Sequence, residues 1–440
     1  MKSKGNRLTE WAKSAMIVFL TLSAVLLGSR SGLFNTIPLF AGVSGLSRST
    51  ATGQGDAGGT SFKEAARPLV ILVTNSHGDR YGVKYDTVAR NAVYDRTSSI
   101  LGEALGSALD PEEISEEEWR EVLLGRPSVF YEYAVPVRLS TLEAWLGARL
   151  PGNIPETFVR RLFVAFGDER SSVYYQNSEN GLFYFSETAS SAAKAQELDI
   201  YADNGAMFAF EKNIDAGGSA PYYLILEVNT HPDIRAAASG DADELLDLVQ
   251  GTMNYSNESV IPSDRGDALV RVGSQFNLRA DPLGRVSFRR TDIMVPSNEE
   301  RTVGEAGMIE KARGIVADTI GSLSGAGEVF FEYLEYGDGE TISLYFSYYA
   351  AGGRIHAFEE GYAAKFIYSD GIITEMELCF RSYAYSGEYS KLVPEIQALA
   401  AAKAEFMLSY MDTGTERLQP MWVRLNSEFG IRNSELGMNQ

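Results

Sequence analysis

The sequence predicts an α+β protein: an N-terminal transmembrane helix followed by a multi-domain body of mostly antiparallel sheets with helices packed on one face. Three observations carry this expectation. An apolar run from Ser14 to Ser29 follows a basic head, the 23 tyrosines and 22 phenylalanines fall mainly in alternating segments, and turn signals punctuate those segments through the second half. Alternation built from β-branched and aromatic residues marks half-buried strands. At 440 residues the chain exceeds what one core usually organises, so more than one domain is expected.

The apolar run spans roughly 24 Å as a helix, short of a hydrocarbon core of about 30 Å, and Trp11 with a snorkelling Lys13 extends it. A secretory signal shares the basic head and apolar run, but no clean small-x-small site follows Leu27, so an uncleaved anchor is favoured over a cleaved signal. Lys2, Lys4, Arg7 and Lys13 hold the amino end inside under either reading. The expectation is a single-pass cell-membrane protein with a cytoplasmic N-terminus and an extracytoplasmic body. Thr21, Ala24 and Gly28 make one face of the anchor small enough for a second helix to approach, a candidate transmembrane-helix contact.

Residues 1–34 form the head and anchor, and 35–66 a flexible linker whose Gly, Ser and Thr between Ala41 and Ser61 give a coil with a reach of about 25 Å. The body divides into α+β domains at 67–235 and 236–440. In the first, a buried strand Leu69–Val73 leads to a helix from Asp86 whose Val88, Ala92, Ile100 and Leu105 share one side. Asp110–Pro111 reads as a helix start, and Ser115 with Glu118 as a capping pair. Strands follow near Val129–Tyr133, Phe163–Phe166, Ser172–Gln176 and Leu182–Ser186, with a turn at Asn180–Gly181, and Tyr222–Val228 closes the domain.

The second domain opens with a helix at Asp241–Gln250 and strands at Ala268–Leu278 and Arg285–Thr291. Thr302 and Glu305 cap a helix carrying Ile309, Ala312, Val316 and Ile320. Strands at Val329–Tyr336, Thr341–Tyr349, Ala363–Ile367 and Ile372–Tyr385 precede a helix Val393–Met411 and a last strand Met421–Leu425. Helix, four strands, helix, strand is the order of an antiparallel sheet with helices to one side.

The formal charge of −20 falls on the body, since residues 1–34 hold Lys2, Lys4, Arg7, Lys13 and Arg30 against Glu10 alone. Such a field repels phosphate backbones, so no nucleic-acid partner is expected. The single cysteine, Cys379, excludes an intrachain disulfide and reads as a packing residue. Nucleophile-elbow, HExxH, CxxC, P-loop and dinucleotide patterns are absent, so no catalytic, cofactor-binding or metal-ligating residue is assigned. His77, in a polar turn after a strand, is the best placed of three histidines for a functional loop, with a plain turn residue as the simpler reading; His231 and His356 read as surface residues. The acidic clusters Glu112–Glu118 and Asp241–Glu244 are expected at helix beginnings, where negative charge complements the dipole. Tyr345 and Tyr349 on one strand and Tyr383 and Tyr385 on another are candidate protein-contact residues on an aromatic sheet surface, with core packing as the alternative.

Several stretches resemble one family. Lys13-Ser14 leads into the anchor and Tyr81-Gly82 follows the first strand; Val129-Phe130-Tyr131-Glu132-Tyr133-Ala134-Val135-Pro136 precedes Leu139-Ser140. Asp370-Gly371-Ile372 and Leu418-Gln419-Pro420-Met421-Trp422 come near the end. In these and in the order of its elements the chain resembles the YycH/YycI family, membrane-anchored accessory proteins of the cell-wall sensor kinase of Gram-positive bacteria. The resemblance implies a non-enzymatic regulator. Its partners would be a sensor histidine kinase, met through spanning helices, and a sister accessory protein, met through the body. The alternative is a cell-envelope enzyme or ligand-binding protein acting on peptidoglycan or peptides, with His77 in its site.

Overall fold

The computed structural model describes residues 65–149, 154–212, 214, 221–255, 261–265, 268–291, 304–337 and 341–424. The expected anchor, with Thr21, Ala24 and Gly28, and the linker up to residue 64 lie outside them. Among the described residues no helix is long and apolar enough to cross a membrane.

Strand β1 (Val70–Thr74) is VILVT, buried along its whole length, so both faces of its sheet need cover. It turns into β2 (Arg80–Val83) and then helix α1 (Thr87–Gly106), whose N-cap Asp86 accepts from the Ala89 amide. The short strand β3 (Glu112–Ile114) and helix α2 (Glu116–Gly125) follow; Ser115 caps α2 by accepting from the Glu118 amide at 3.1 Å, as its spacing predicts. Next come β4 (Ser128–Arg138), α3 (Leu139–Leu146), β5 (Phe158–Phe166), β6 (Arg170–Asn177) and β7 (Phe183–Ser191). The strands form one antiparallel sheet in the order β2-β1-β4-β5-β6-β7-β3. Val129 and Tyr131 pack toward α1 and α3 in one cluster, while Phe130 and Phe163 pack with Trp119 and Leu123 of α2 in another. Helices thus cover both faces of this sheet rather than one, as the all-apolar β1 requires.

The pair β8 (Met207–Phe208) and β9 (Leu224–Ile225) precedes β10 (Thr230–Ala238) and α4 (Ala242–Thr252). After β11 (Ile261–Arg265) come β12 (Ala268–Val272), β13 (Phe276–Ala280) and β14 (Arg285–Arg290). Helix α5 (Glu305–Val316) continues through a wider turn at Ala317–Gly321 and buries Ile309, Ala312, Val316 and Ile320, as predicted. The remaining strands are β15 (Glu328–Tyr336), β16 (Thr341–Ala350), β17 (Gly353–Ala357), β18 (Ala364–Ser369), β19 (Ile372–Cys379) and β20 (Arg381–Lys391). Helix α6 (Glu395–Ala402) leads to β21 (Phe406–Asp412), β22 (Arg417–Leu418) and β23 (Pro420–Arg424). A large sheet runs β11-β12-β13-β14-β19-β18-β16-β17-β21-β23, with β15 on β16; β17 and β21 are parallel and the other pairs antiparallel. A small sheet orders β20-β10-β22. The result is an α+β fold dominated by antiparallel sheets.

Several expectations are corrected. Of the predicted α1 face, Ile100 and Leu105 are buried, but Val88 is 80% exposed and Ala92 is exposed too; Arg90, Val93, Tyr94, Thr97, Leu101 and Ala104 complete the buried side. Asp110–Pro111 starts no helix; Glu112 and Glu113 add to the edge of β7, so only the acids from Glu116 onward sit at a helix beginning. The N-cap of α5 is Gly304, without a side-chain cap. Ala268–Leu278 breaks into two strands around Gly273, and Ile372–Tyr385 breaks at Phe380, where the chain leaves the large sheet for the small one. Tyr222–Val228 keeps only two strand residues. The expected helix Val393–Met411 ends at Ala402, where Lys403 turns left-handed (φ +48°), and Phe406, Leu408 and Tyr410 then alternate inward as a strand.

Candidate functional site

The site grows from an irregularity in β4. Its pairing with β5 runs from Ser128 opposite Ala165 to Glu132 opposite Arg161, then resumes only at Val137 opposite Val159. Tyr133–Pro136 therefore faces Arg160 alone, an enlarged bulge. On the other side β1 stops at Val70 opposite Glu132, with one further bond from the Leu69 amide. The prolines explain the gap: Pro136 has no amide hydrogen for a ladder, and Pro68 ends β1 for the same reason. Tyr133–Pro136 is thus strand without a strand partner. Across from it lies β15, which among the described residues pairs with β16 alone and so keeps one edge free. Both stretches line a cleft of about 620 Å³.

The floor of the cleft is a four-membered charge cluster. Arg160 Nη2 lies 2.6 Å from Glu405 Oε1 and 3.1 Å from Glu132 Oε1; Arg161 Nη2 lies 2.8 Å from Glu132 Oε1 and 3.1 Å from Glu405 Oε1. Burial opposes the charge on Arg160, but Glu405 and Glu132 outweigh it and hold the guanidinium pKa above its ordinary value. Burial likewise opposes ionisation of Glu405, and Arg160 and Arg161 overcome this to keep it below the usual carboxylate range. Every contact to the two acids runs through Oε1, so both Oε2 atoms and Nη1 of each arginine make no hydrogen bond to another described residue. The floor is neutral overall yet offers both donors and acceptors.

Tyr349 completes the floor. Only 2% exposed, it lines the cleft, and its hydroxyl makes no hydrogen bond to another described residue. Burial, with Glu332 nearby, pushes its pKa up, so it stays a protonated donor. Glu332 itself pairs with Arg354 at 2.7 Å, and Arg354 also meets the Gly361 carbonyl at 3.2 Å and His356 Nδ1 at 3.2 Å. At the far end Lys84 and Tyr223 reach Glu395, the first residue of α6. That carboxylate accepts from Lys84 Nζ (3.0 Å), the Tyr223 hydroxyl (2.7 Å), the Leu226 amide (2.7 Å) and, at close range, the Tyr85 hydroxyl.

The aromatic expectation is redistributed. Tyr345 is buried and stacks on Tyr333 at 4.3 Å between centroids, and Tyr383 is buried and donates to Asp412. Tyr349 lies on the cleft floor, and only Tyr385, 49% exposed, remains at the surface. The four share no open face because β16 is flanked on both sides, by β15 and by β18 with β17, within a packed core. His77 stays on an exposed turn, its amide donating to Asn75 Oδ1 at 2.9 Å. His231 and His356, expected at the surface, are buried instead. His231 stands edge-on to Tyr85 and Trp422, and neither of its ring nitrogens has a partner among the described residues. Cys379 is buried, which pushes its thiol pKa up. Sequence reasoning missed the cleft: Arg160, Glu405 and Glu395 belong to no local motif, and the one visible signal was Pro136 interrupting an otherwise unbroken strand pattern.

No family model matches the chain, and no curated protein matches it. Among solved structures the chain is similar to the crystal structure of YycH from Bacillus subtilis, with a TM-score of 0.55 and 12% identity, over 84% of this chain and 96% of that one. At that identity the likeness is one of fold, and it places the arrangement of these sheets with that of YycH.

Proposed function

We propose that the protein is a non-enzymatic, membrane-tethered regulator of an envelope-sensing two-component histidine kinase. The observation that carries this is the fold likeness to YycH, which extends over 96% of that chain. The basic head and apolar run support an anchor at 1–34, a linker at 35–66 and an extracytoplasmic body of two domains, 67–235 and 236–440. Regulation of this kind means binding two arrangements of the kinase unequally, directly or together with a sister accessory protein. The small face Thr21, Ala24 and Gly28 supplies the helix contact.

The test replaces Ala24 and Gly28 with Leu in the full chain and follows co-purification of the kinase and its output in cells. Loss of both with an intact body is the expected result. Association and output that survive the double replacement would remove the helix contact, and a kinase indifferent to deletion of the whole protein would remove the regulator. The ligand-binding alternative gains one observation, the cleft, and moves there from His77.

A further inference from the structure

We propose that the cleft between β4 and β15 binds an extended peptide segment, which adds as a strand to Tyr133–Pro136. Three independent features of the cleft agree on this occupant. The first is backbone: a stretch of β4 without a partner on either side and a strand, β15, with one free edge line the same cleft. Unpaired strand backbone is a template for another chain, and main-chain hydrogen bonding is how sheet edges capture peptides. Four residues at about 3.3 Å each give a contact roughly 13 Å long. The second is charge. Two arginines and two glutamates cancel while leaving Nη1 donors and Oε2 acceptors free, which suits a neutral backbone of alternating N–H and C=O groups better than a polyanion or a polycation. The third is Tyr349 on the cleft floor, whose hydroxyl makes no hydrogen bond to another described residue. A tyrosine hydroxyl with no protein acceptor keeps its donor for solvent or ligand, and a ligand carbonyl would accept from it. Val135, Phe158, Phe331 and Leu334 supply apolar walls for alternate side chains of the bound strand.

This proposal stands on the cleft alone and does not depend on kinase regulation. The full chain, held in detergent, is panned against a phage-displayed library of random peptides about 12 residues long. A selected peptide is then measured by fluorescence anisotropy and by hydrogen exchange. Binding is expected to slow exchange of the Tyr133, Ala134 and Val135 amides and of β15 at least tenfold. Tyr349→Phe, which removes one hydroxyl and leaves packing intact, is expected to weaken binding roughly three- to tenfold. Val135→Arg, which obstructs the cleft, should abolish binding; should that variant fail to fold, the exchange pattern and Tyr349→Phe decide. A library that yields no binder, protection elsewhere on the surface, or a peptide that binds Tyr349→Phe as well as the parent overturns the proposal. Since all these readouts use the isolated protein, they can fail while kinase regulation stands, and the reverse.

Discussion

His231 and His356 are the residues whose environment departs furthest from what their neighbours in sequence suggest. Burial lowers the pKa of His231 to about 4, with Glu395 partly offsetting this and Lys84 adding to it; burial and then Arg354 lower His356 to about 3. Both rings are neutral in the fold, whereas the unfolded chain takes up protons near pH 6.5. The stability they contribute is complete above that value and drains away as the pH falls toward 4 and 3. Urea unfolding at pH 7 and pH 5 should differ by on the order of 2 kcal/mol for each ring, and His231→Phe should remove its share of the difference. A midpoint unmoved between the two conditions would refute this. Nothing local announced the burial: His231 precedes Pro232, a turn-like pair, yet β10 is covered by Tyr85 and Trp422, which come from distant parts of the chain. The Ser115 cap and the turn at Asn180–Gly181, where Gly181 takes a positive φ, were legible because each involves only adjacent residues.

Among the elements, strands were easier to read than helix ends. Alternation located β4 to β7 and β15, β16, β18 and β19 because side chains on a strand meet their surroundings with period two, whatever lies above them. The stretch after Pro394 defeated the same reasoning, since Leu399, Phe406 and Met407 fit helical spacing until Lys403 turns left-handed. The hairpin from β16 to β17 was missed because its turn, Ala351–Gly352, carries little polar signal. It is also tightly constrained: Gly352 has φ +70°, and a β-carbon there would collide with the Lys84 carbonyl. Gly352→Ala should therefore lower stability by more than about 1 kcal/mol, with thermal unfolding as the measurement. A variant as stable as the parent would show that the contact between this hairpin and Lys84 is loose.

For the molecule as a whole, ion pairs join the first sheet to the later elements at widely spaced points. Arg90 meets Glu328, Arg138 meets Glu305, Arg161 meets Glu405 and Lys84 meets Glu395. None of these pairs could be read from spacing, because their partners lie hundreds of residues apart, and the cleft was hidden for the same reason. Breaking one side of a buried pair strands a charge, so the two halves should unfold together. Trp119 and Trp145 report on the first half and Trp422 on the last; guanidinium unfolding of the full chain and of Trp422→Phe should give one coincident transition, and two separate transitions would show independent halves. The position of β1, held between β2 and β4, has a mechanical consequence. A pull entering the body at its amino end acts along this strand and loads its lateral bonds together rather than one after another. With the proposed anchor at 1–34, the first strand of the body would be the one to take that load.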